Sequence, residues 1–219
     1  MKANRSFFYR NSLSIVFISL FLLALIGQIY FGWKESVSEY QKHGKELLFG
    51  DYLFSGHFIS STFENFQSEF LQMALYVILT IFLRQVGSAE SKEIDKKEEV
   101  DREPIYRPGA PAPVKSGGWR LLIYKHSLSI AFLILFIASW GLHLFGSYKG
   151  KMEENALEGK PSISISEYLS KPTFWFETFQ YWQSEFLSVA SIVILTIFLR
   201  QKGSPESKPV DSPHWKTGK

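Results

Sequence analysis

Residues 12–33 read SLSIVFISLFLLALIGQIYFGW, a stretch without one charged side chain. The hydrocarbon core of a bilayer is about 30 Å thick, and a helix rising about 1.5 Å per residue crosses it in about 20 residues. Residues 128–148, LSIAFLILFIASWGLHLFGSY, repeat the pattern, with His143 as the only side chain there able to carry positive charge. Working outward, 70–83 and 186–199 are shorter apolar runs. Each follows an aromatic stripe at helical spacing: Ile59, Phe63, Phe66 and Phe70 before the first, Trp175, Phe179, Trp182 and Phe186 before the second. The stripes lengthen these runs into expected helices at about 57–85 and 173–201, entering a membrane through an aromatic belt. The expected fold is therefore all-α, a four-helix transmembrane bundle. Trp33, Trp140, Trp175 and Trp182 are expected at the interfaces.

The bulk composition conceals this arrangement. Of 219 residues, 46% are hydrophobic and 21% charged, but the apolar residues gather in four blocks and the charges lie between them. A net charge of +3, with Lys and Arg interleaved among Asp and Glu, argues against a nucleic-acid partner. The absence of cysteine excludes disulfides, thiolate metal sites and thiol nucleophiles. Lys2, Arg5 and Arg10 resemble the basic start of a signal peptide. The apolar run after them is too long for one, however, and no small-residue cleavage pattern follows Trp33, so we expect a retained anchor.

The chain also repeats itself. Ile78-Leu79-Thr80-Ile81-Phe82-Leu83-Arg84-Gln85 recurs residue for residue at 194–201. Gln67-Ser68-Glu69-Phe70-Leu71 recurs at 183–187, and Gly87-Ser88-Ala89-Glu90-Ser91-Lys92 returns as Gly203-Ser204-Pro205-Glu206-Ser207-Lys208. Near the start, Ser12-Leu13-Ser14-Ile15 matches Ser127-Leu128-Ser129-Ile130. Apolar composition alone does not produce identities of this length. Each copy holds two spans, an even number, so both copies enter the membrane in the same direction and the repeats are parallel rather than inverted. The expected organisation is a first two-span repeat at 1–86, a flexible cytoplasmic linker at 87–118 rich in mixed charge and proline, a second repeat at 119–203, and a disordered cytoplasmic tail at 204–219.

Ionisable groups at membrane depth are the main pointers to function in such a chain. Glu69 precedes Arg84 by fifteen residues, or about 22 Å along a helix. With Arg84 and Arg200 marking the inner boundary, Glu69 and its counterpart Glu185 sit toward the outer leaflet. Gln67, Ser68, Glu69, Gln72 and Tyr76 form a polar cluster on the second helix, and Gln183, Ser184 and Glu185 repeat part of it, with Ile192 standing where Tyr76 does. Lipid penalises such a stripe, so it should face other helices or water. Two readings stand open: hydrated or hydrogen-bonded carboxyls that hold the bundle together, or carboxyls that handle protons or cations. His143 and His57 are candidate ligands, although the first copy has Gln28 or Ile29 near the place of His143, and the five histidines show no close pairing for a metal site. No cofactor is expected. There is no P-loop, dinucleotide glycine fingerprint, nucleophile elbow or HExxH motif, so a non-enzymatic role is expected.

These motifs carry a resemblance. Ser55-Gly56-His57-Phe58, Phe174-Trp175-Phe176-Glu177, the two Gln-Ser-Glu-Phe-Leu segments and the two Gly-Ser-x-Glu-Ser-Lys segments resemble an uncharacterised bacterial integral-membrane family, a domain of unknown function, over about residues 5–215. Phe66 departs from the pattern, which has tryptophan there, as Trp182 does in the second copy. The resemblance implies a bacterial inner-membrane protein and transfers no catalytic residue. The expected function is a helix-assembling subunit or scaffold, in contact with the lipid bilayer and forming a homo-oligomer or joining a membrane-protein partner. The alternative is a small ion channel or proton-coupled transporter using Glu69 and Glu185.

Lys and Arg set the orientation. Seventeen of the 24 fall in segments that are cytoplasmic if both termini are inside, and seven in the outer loops. Reporter enzymes fused to either terminus should therefore read as cytoplasmic. A periplasmic signal from both would reverse the assignment.

Overall fold

The computed structural model describes residues 6–218. Lys2, Arg5 and Lys219, counted above among the inner basic residues, lie outside them. The regular structure of the described residues is entirely helical: α1 (Phe7–Arg10), α2 (Ser12–Lys42), α3 (Phe49–Tyr52), α4 (Gly56–Phe82), α5 (Ala112–Ser116), α6 (Gly118–Lys125), α7 (Ser127–Leu157), α8 (Ile165–Ser170) and α9 (Pro172–Phe198), with a 3-10 turn at Glu99–Asp101. Three of the described helices, α2, α7 and α9, are long and apolar enough to cross a membrane. α4 equals α9 at 27 residues but is not among them. The reason is chemical: Asn65, Gln67, Glu69 and Gln72 dilute the outer half of its apolar stretch.

The helix ends differ from expectation in two ways. α2 and α7 are each 31 residues long and run on beyond the apolar blocks. Their polar ends carry helix-compatible ion pairs one turn apart, Glu39 with Lys42 at 2.7 Å and Lys151 with Glu154 at 2.8 Å. α4 and α9 stop at Phe82 and Phe198, short of 85 and 201. In each, an arginine curls back over the last turn. Arg84 Nη1 donates to the carbonyls of Thr80, Ile81 and Leu83 at 3.3, 3.1 and 2.8 Å. Arg200 Nη1 does the same to Thr196, Ile197 and Leu199 at 3.0, 3.2 and 2.8 Å. A cation on the final carbonyls satisfies acceptors that a helix end leaves without intrahelical donors.

The contacts divide the chain into two compact units. The first comprises Met1–Thr62 and Leu142–Ser170. Its packing depends on missing side chains. A Cβ at Gly56 would fall 1.9 Å from the backbone nitrogen of Gly150, and one at Gly146 would fall 2.4 Å from that of Ser60. The start of α4 and the end of α7 therefore approach backbone to backbone, the packing that small residues permit between membrane helices. Gly32 similarly leaves room for the fully buried ring of Tyr52. Polar groups then secure the unit. Glu153 Oε2 accepts from the Gly56 N–H at 2.9 Å, Gln28 Nε2 donates to Ser61 Oγ at 3.3 Å, and Tyr148 Oη donates to the Ile163 carbonyl at 2.7 Å.

The second unit comprises Phe63–Gly141 and Lys171–Lys219. It holds the contacts of α4 with α9, described below. Sequence reading assigns no structure to the segments after these helices. Here the difference is instructive, because the repeated Gly-Ser-x-Glu-Ser-Lys motif folds the same way twice. Gly87 and Gly203 take φ of +85° and +86°, a left-handed conformation that favours glycine. Ser91 Oγ accepts from the Gln85 N–H at 3.0 Å and Ser207 Oγ from the Gln201 N–H at 2.9 Å. Ser88 Oγ accepts from the Glu90 N–H, and Ser204 Oγ from the Glu206 N–H, both at 3.1 Å.

Only the motif lysines diverge. Lys92 Nζ meets Asp101 at 2.6 Å, and this ammonium, through its hydrogen bond, holds the Asp101 carboxyl below the usual range. Lys208 is 1% exposed, and its Nζ donates to the carbonyls of Gly87, Pro213, His214 and Lys216 at 2.5, 3.3, 3.1 and 2.8 Å. Burial acts against that ammonium and lowers its pKa from the ordinary lysine value. The tail is thus tied to the first copy's loop, and Gly218 N–H donates to the Ser88 carbonyl at 3.0 Å.

Burial is inverted relative to a water-soluble domain. The buried apolar side chains are Tyr52, Ala74, Ala89, Tyr168 and Phe174, whereas the more numerous buried polar ones include Gln67, Ser68, Ser139, His143, Thr178 and Thr196. Gly56→Ala should therefore destabilise the fold by about 1–3 kcal/mol through overpacking against backbone. Gly27→Ala, where a Cβ meets nothing within 4 Å, should leave thermal unfolding in detergent unchanged or raise its midpoint. Equal effects of the two substitutions would contradict this packing.

Candidate functional site

The polar stripe of α4 meets α9 residue by residue. Register follows from helical spacing: positions three or four apart lie on one face. Tyr181 Oη donates to Glu64 Oε1 at 2.8 Å, and Trp182 Nε1 donates to Gln67 Oε1 at 2.8 Å. One turn further along, the carboxyl of Glu69 neighbours that of Glu185. Gln72 Nε2 then donates to Ser188 Oγ at 2.8 Å and to the Glu185 carbonyl at 3.2 Å. At the end of the series the Tyr76 hydroxyl donates to Glu90, from the repeated loop motif. Thr196, from α9, meets the same loop, its Oγ1 lying 3.2 Å from Ser88 Oγ and accepting from the Ala89 N–H at 3.2 Å.

Glu69 is exposed and Glu185 half-buried, so this pair is not enclosed. Gln67 is fully buried, and its Nε2, like the Oγ1 of Thr178, has no hydrogen-bond partner among the described residues.

The two copies use their shared residues differently. Gln67 and Ser68 are buried, whereas Gln183 and Ser184 are exposed. The substitution at 66 accounts for this difference: Trp182 gives Gln67 an indole N–H, and Phe66, its counterpart, has no N–H to give Gln183. Trp182 is therefore not only the interfacial anchor expected from sequence. Its ring lies 6.3 Å from Phe136 and 5.4 Å from Phe179, with its nitrogen turned to α4.

The two histidines singled out from sequence, His143 and His57, belong to the first unit. His143 is fully buried, with Nδ1 3.3 Å from Ser60 Oγ. His57 is exposed, with Nδ1 3.5 Å from the Tyr52 hydroxyl. Arg84 and Arg200 end α4 and α9, as described. Sequence reading missed Glu64 and Glu90 as site residues. Glu90 had a signal in the repeated loop motif. Glu64 had none, because Gln180 occupies its repeat position.

The family model described as Domain of unknown function (DUF6766) matches residues 4–219. The chain belongs to that family. No curated protein and no solved structure matches it.

Trp182→Phe makes the second copy resemble the first. It removes the hydrogen-bond partner that the fully buried Gln67 has among the described residues, and should cost about 1–3 kcal/mol, the penalty for stranding a buried polar group. Gln67→Leu in the same chain should recover much of the loss. Thermal unfolding in detergent checks both; a silent Trp182→Phe would show that the indole contact contributes nothing.

Proposed function

We propose that the chain is a four-span protein of the bacterial cytoplasmic membrane, made of two parallel two-helix repeats, with both termini cytoplasmic. We propose further that it works without catalysis, by assembling through its helices as a homo-oligomer or as a subunit of a larger membrane complex. α4 qualifies as the fourth span because Glu64, Gln67 and Gln72 make their hydrogen bonds to α9. This pairing reduces the desolvation cost that their composition implies. The twice-formed arginine cap and loop support a parallel duplication.

One observation carries the assembly reading. No residue in the most apolar stretch of α2 is buried within the chain. Gly27 in that helix has open space where a side chain would stand, and small residues on an open face are where membrane helices approach one another. The polar ladder, in contrast, is taken up inside the chain.

A second reading is favoured by the closeness of Glu69 and Glu185. A carboxyl pair of this kind suits proton-coupled transport.

Native mass spectrometry in mild detergent is expected to show a multiple of the 25.2 kDa chain or the chain with a co-extracted membrane protein. A lone monomer overturns the assembly reading. In proteoliposomes under a pH gradient the wild type should pass no protons. Flux that vanishes in Glu69→Gln/Glu185→Gln, with the fold intact, would establish the second reading in its place.

A further inference from the structure

The duplicated arginine cap has one end closed and one end open. On α9, the second terminal nitrogen of Arg200 donates to the Ser212 carbonyl at 3.1 Å. His214 lies over the same turn, with Nδ1 3.0 Å from the Ile197 carbonyl and its ring 5.7 Å from that of Phe198. The chain's own tail thus covers the end of the second copy. The equivalent positions on α4 carry no such cover: Ile81 and Phe82 are 43% and 73% exposed. Arg84 Nη1 makes the three carbonyl bonds, and Nη2 has no partner among the described residues.

Beside Arg84 the second unit has a cleft of about 300 Å³. Its walls are apolar: Leu75 and Leu79 from α4, with Leu83 just past its end, face Phe186, Val189 and Val193 from α9. Arg84 lies at the end of this cleft near the loop, beside Gln85 and Glu90. Tyr76 holds the Glu90 carboxylate by a hydrogen bond. Asp101, whose charge reaches Arg84, is held by Lys92 at 2.6 Å. The α9 wall belongs to a helix apolar and long enough to cross a membrane.

We propose that this cleft binds a bilayer phospholipid, with an acyl chain between α4 and α9 and the phosphate on the open side of Arg84. The apolar walls match the chain, and the guanidinium matches the phosphodiester, which it recognises with paired N–H donors. The tail carbonyl on Arg200 shows what the vacant nitrogen of Arg84 accommodates: an oxygen acceptor beyond the helix end. The inference rests on the membrane reading proposed above and goes beyond it by naming a ligand and its site.

The test is titration of the detergent-purified protein with phosphatidylglycerol, read by native mass spectrometry, with diacylglycerol as the ligand lacking phosphate. The wild type should hold phosphatidylglycerol. Arg84→Gln should weaken it about tenfold, the loss expected for a charge-assisted hydrogen bond. Arg200→Gln loses the same helix cap but should bind normally, separating cap loss from ligand loss. Leu79→Trp fills the cleft and should abolish binding while sparing Arg84. Diacylglycerol should bind the wild type weakly.

Undiminished binding in both Arg84→Gln and Leu79→Trp would overturn the proposal, as would equal weakening in Arg200→Gln, or diacylglycerol bound as tightly as phospholipid. A second copy of the chain lost from the complex in Leu79→Trp would overturn it too. If the protein leaves the membrane fraction without detergent, the membrane reading itself fails. If it needs detergent but takes up no phospholipid, only the cleft assignment fails.

Discussion

A hydrogen-bonding group inside hydrocarbon has no water to turn to, so it must find its partner within the protein. In an aqueous fold the hydrophobic effect places apolar residues inside and leaves polar ones out. Here the buried set is weighted toward Ser, Thr, Gln and His, and Phe, Leu and Ile line the outside of α2 and α7. On the proposed membrane reading this inversion is the expected solution. Apolar side chains gain little by leaving lipid for one another, so glycine contacts such as Gly56 on Gly150 and side-chain hydrogen bonds hold the helices. The α4–α9 ladder follows from the same constraint, since each polar residue of α4 that lipid would penalise is matched by an α9 group at helical spacing.

The constraint also governs the helix ends. A helix that stops at the edge of a bilayer leaves carbonyls without donors. α4 and α9 both solve this with an arginine two residues beyond the end and a Gly-Ser-x-Glu-Ser-Lys loop that turns the chain and covers its own N–H groups. The eight-residue identity at 78–85 and 194–201 is thus the sequence of a terminator as much as of a span. Its arginine, read as a boundary marker, is a hydrogen-bonded cap as well.

Several elements were legible before any coordinates. α2 and α7 followed from hydropathy, and α4 and α9 from aromatic spacing, the latter two to within three residues at their ends. The error at those ends has a cause: apolar periodicity continues through Leu83 and Leu199, and nothing in it shows that Arg84 and Arg200 turn back. The pairings of Gln67 with Trp182 and of Glu64 with Tyr181 were hidden, because they join positions that differ between copies, and a repeat argument sees only what the copies share. The Lys208 contacts were hidden for another reason. A lysine near a terminus looks solvated by composition, and four backbone carbonyls leave no trace in side-chain identity.

The differences between copies bear on which reading of the ladder is stronger. A proton path on a pseudo-twofold axis would keep both sides alike, so that each glutamate saw the same neighbours. The divergence goes the other way. Phe66 leaves Gln183 without the indole that Gln67 has, and Ile192 has no hydroxyl to offer Glu206 where Tyr76 serves Glu90. Each of these changes gives one copy a hydrogen bond that the other copy does not repeat. Such asymmetry fixes which face of α4 meets which face of α9, and one register between two near-identical helices is what a clasp requires.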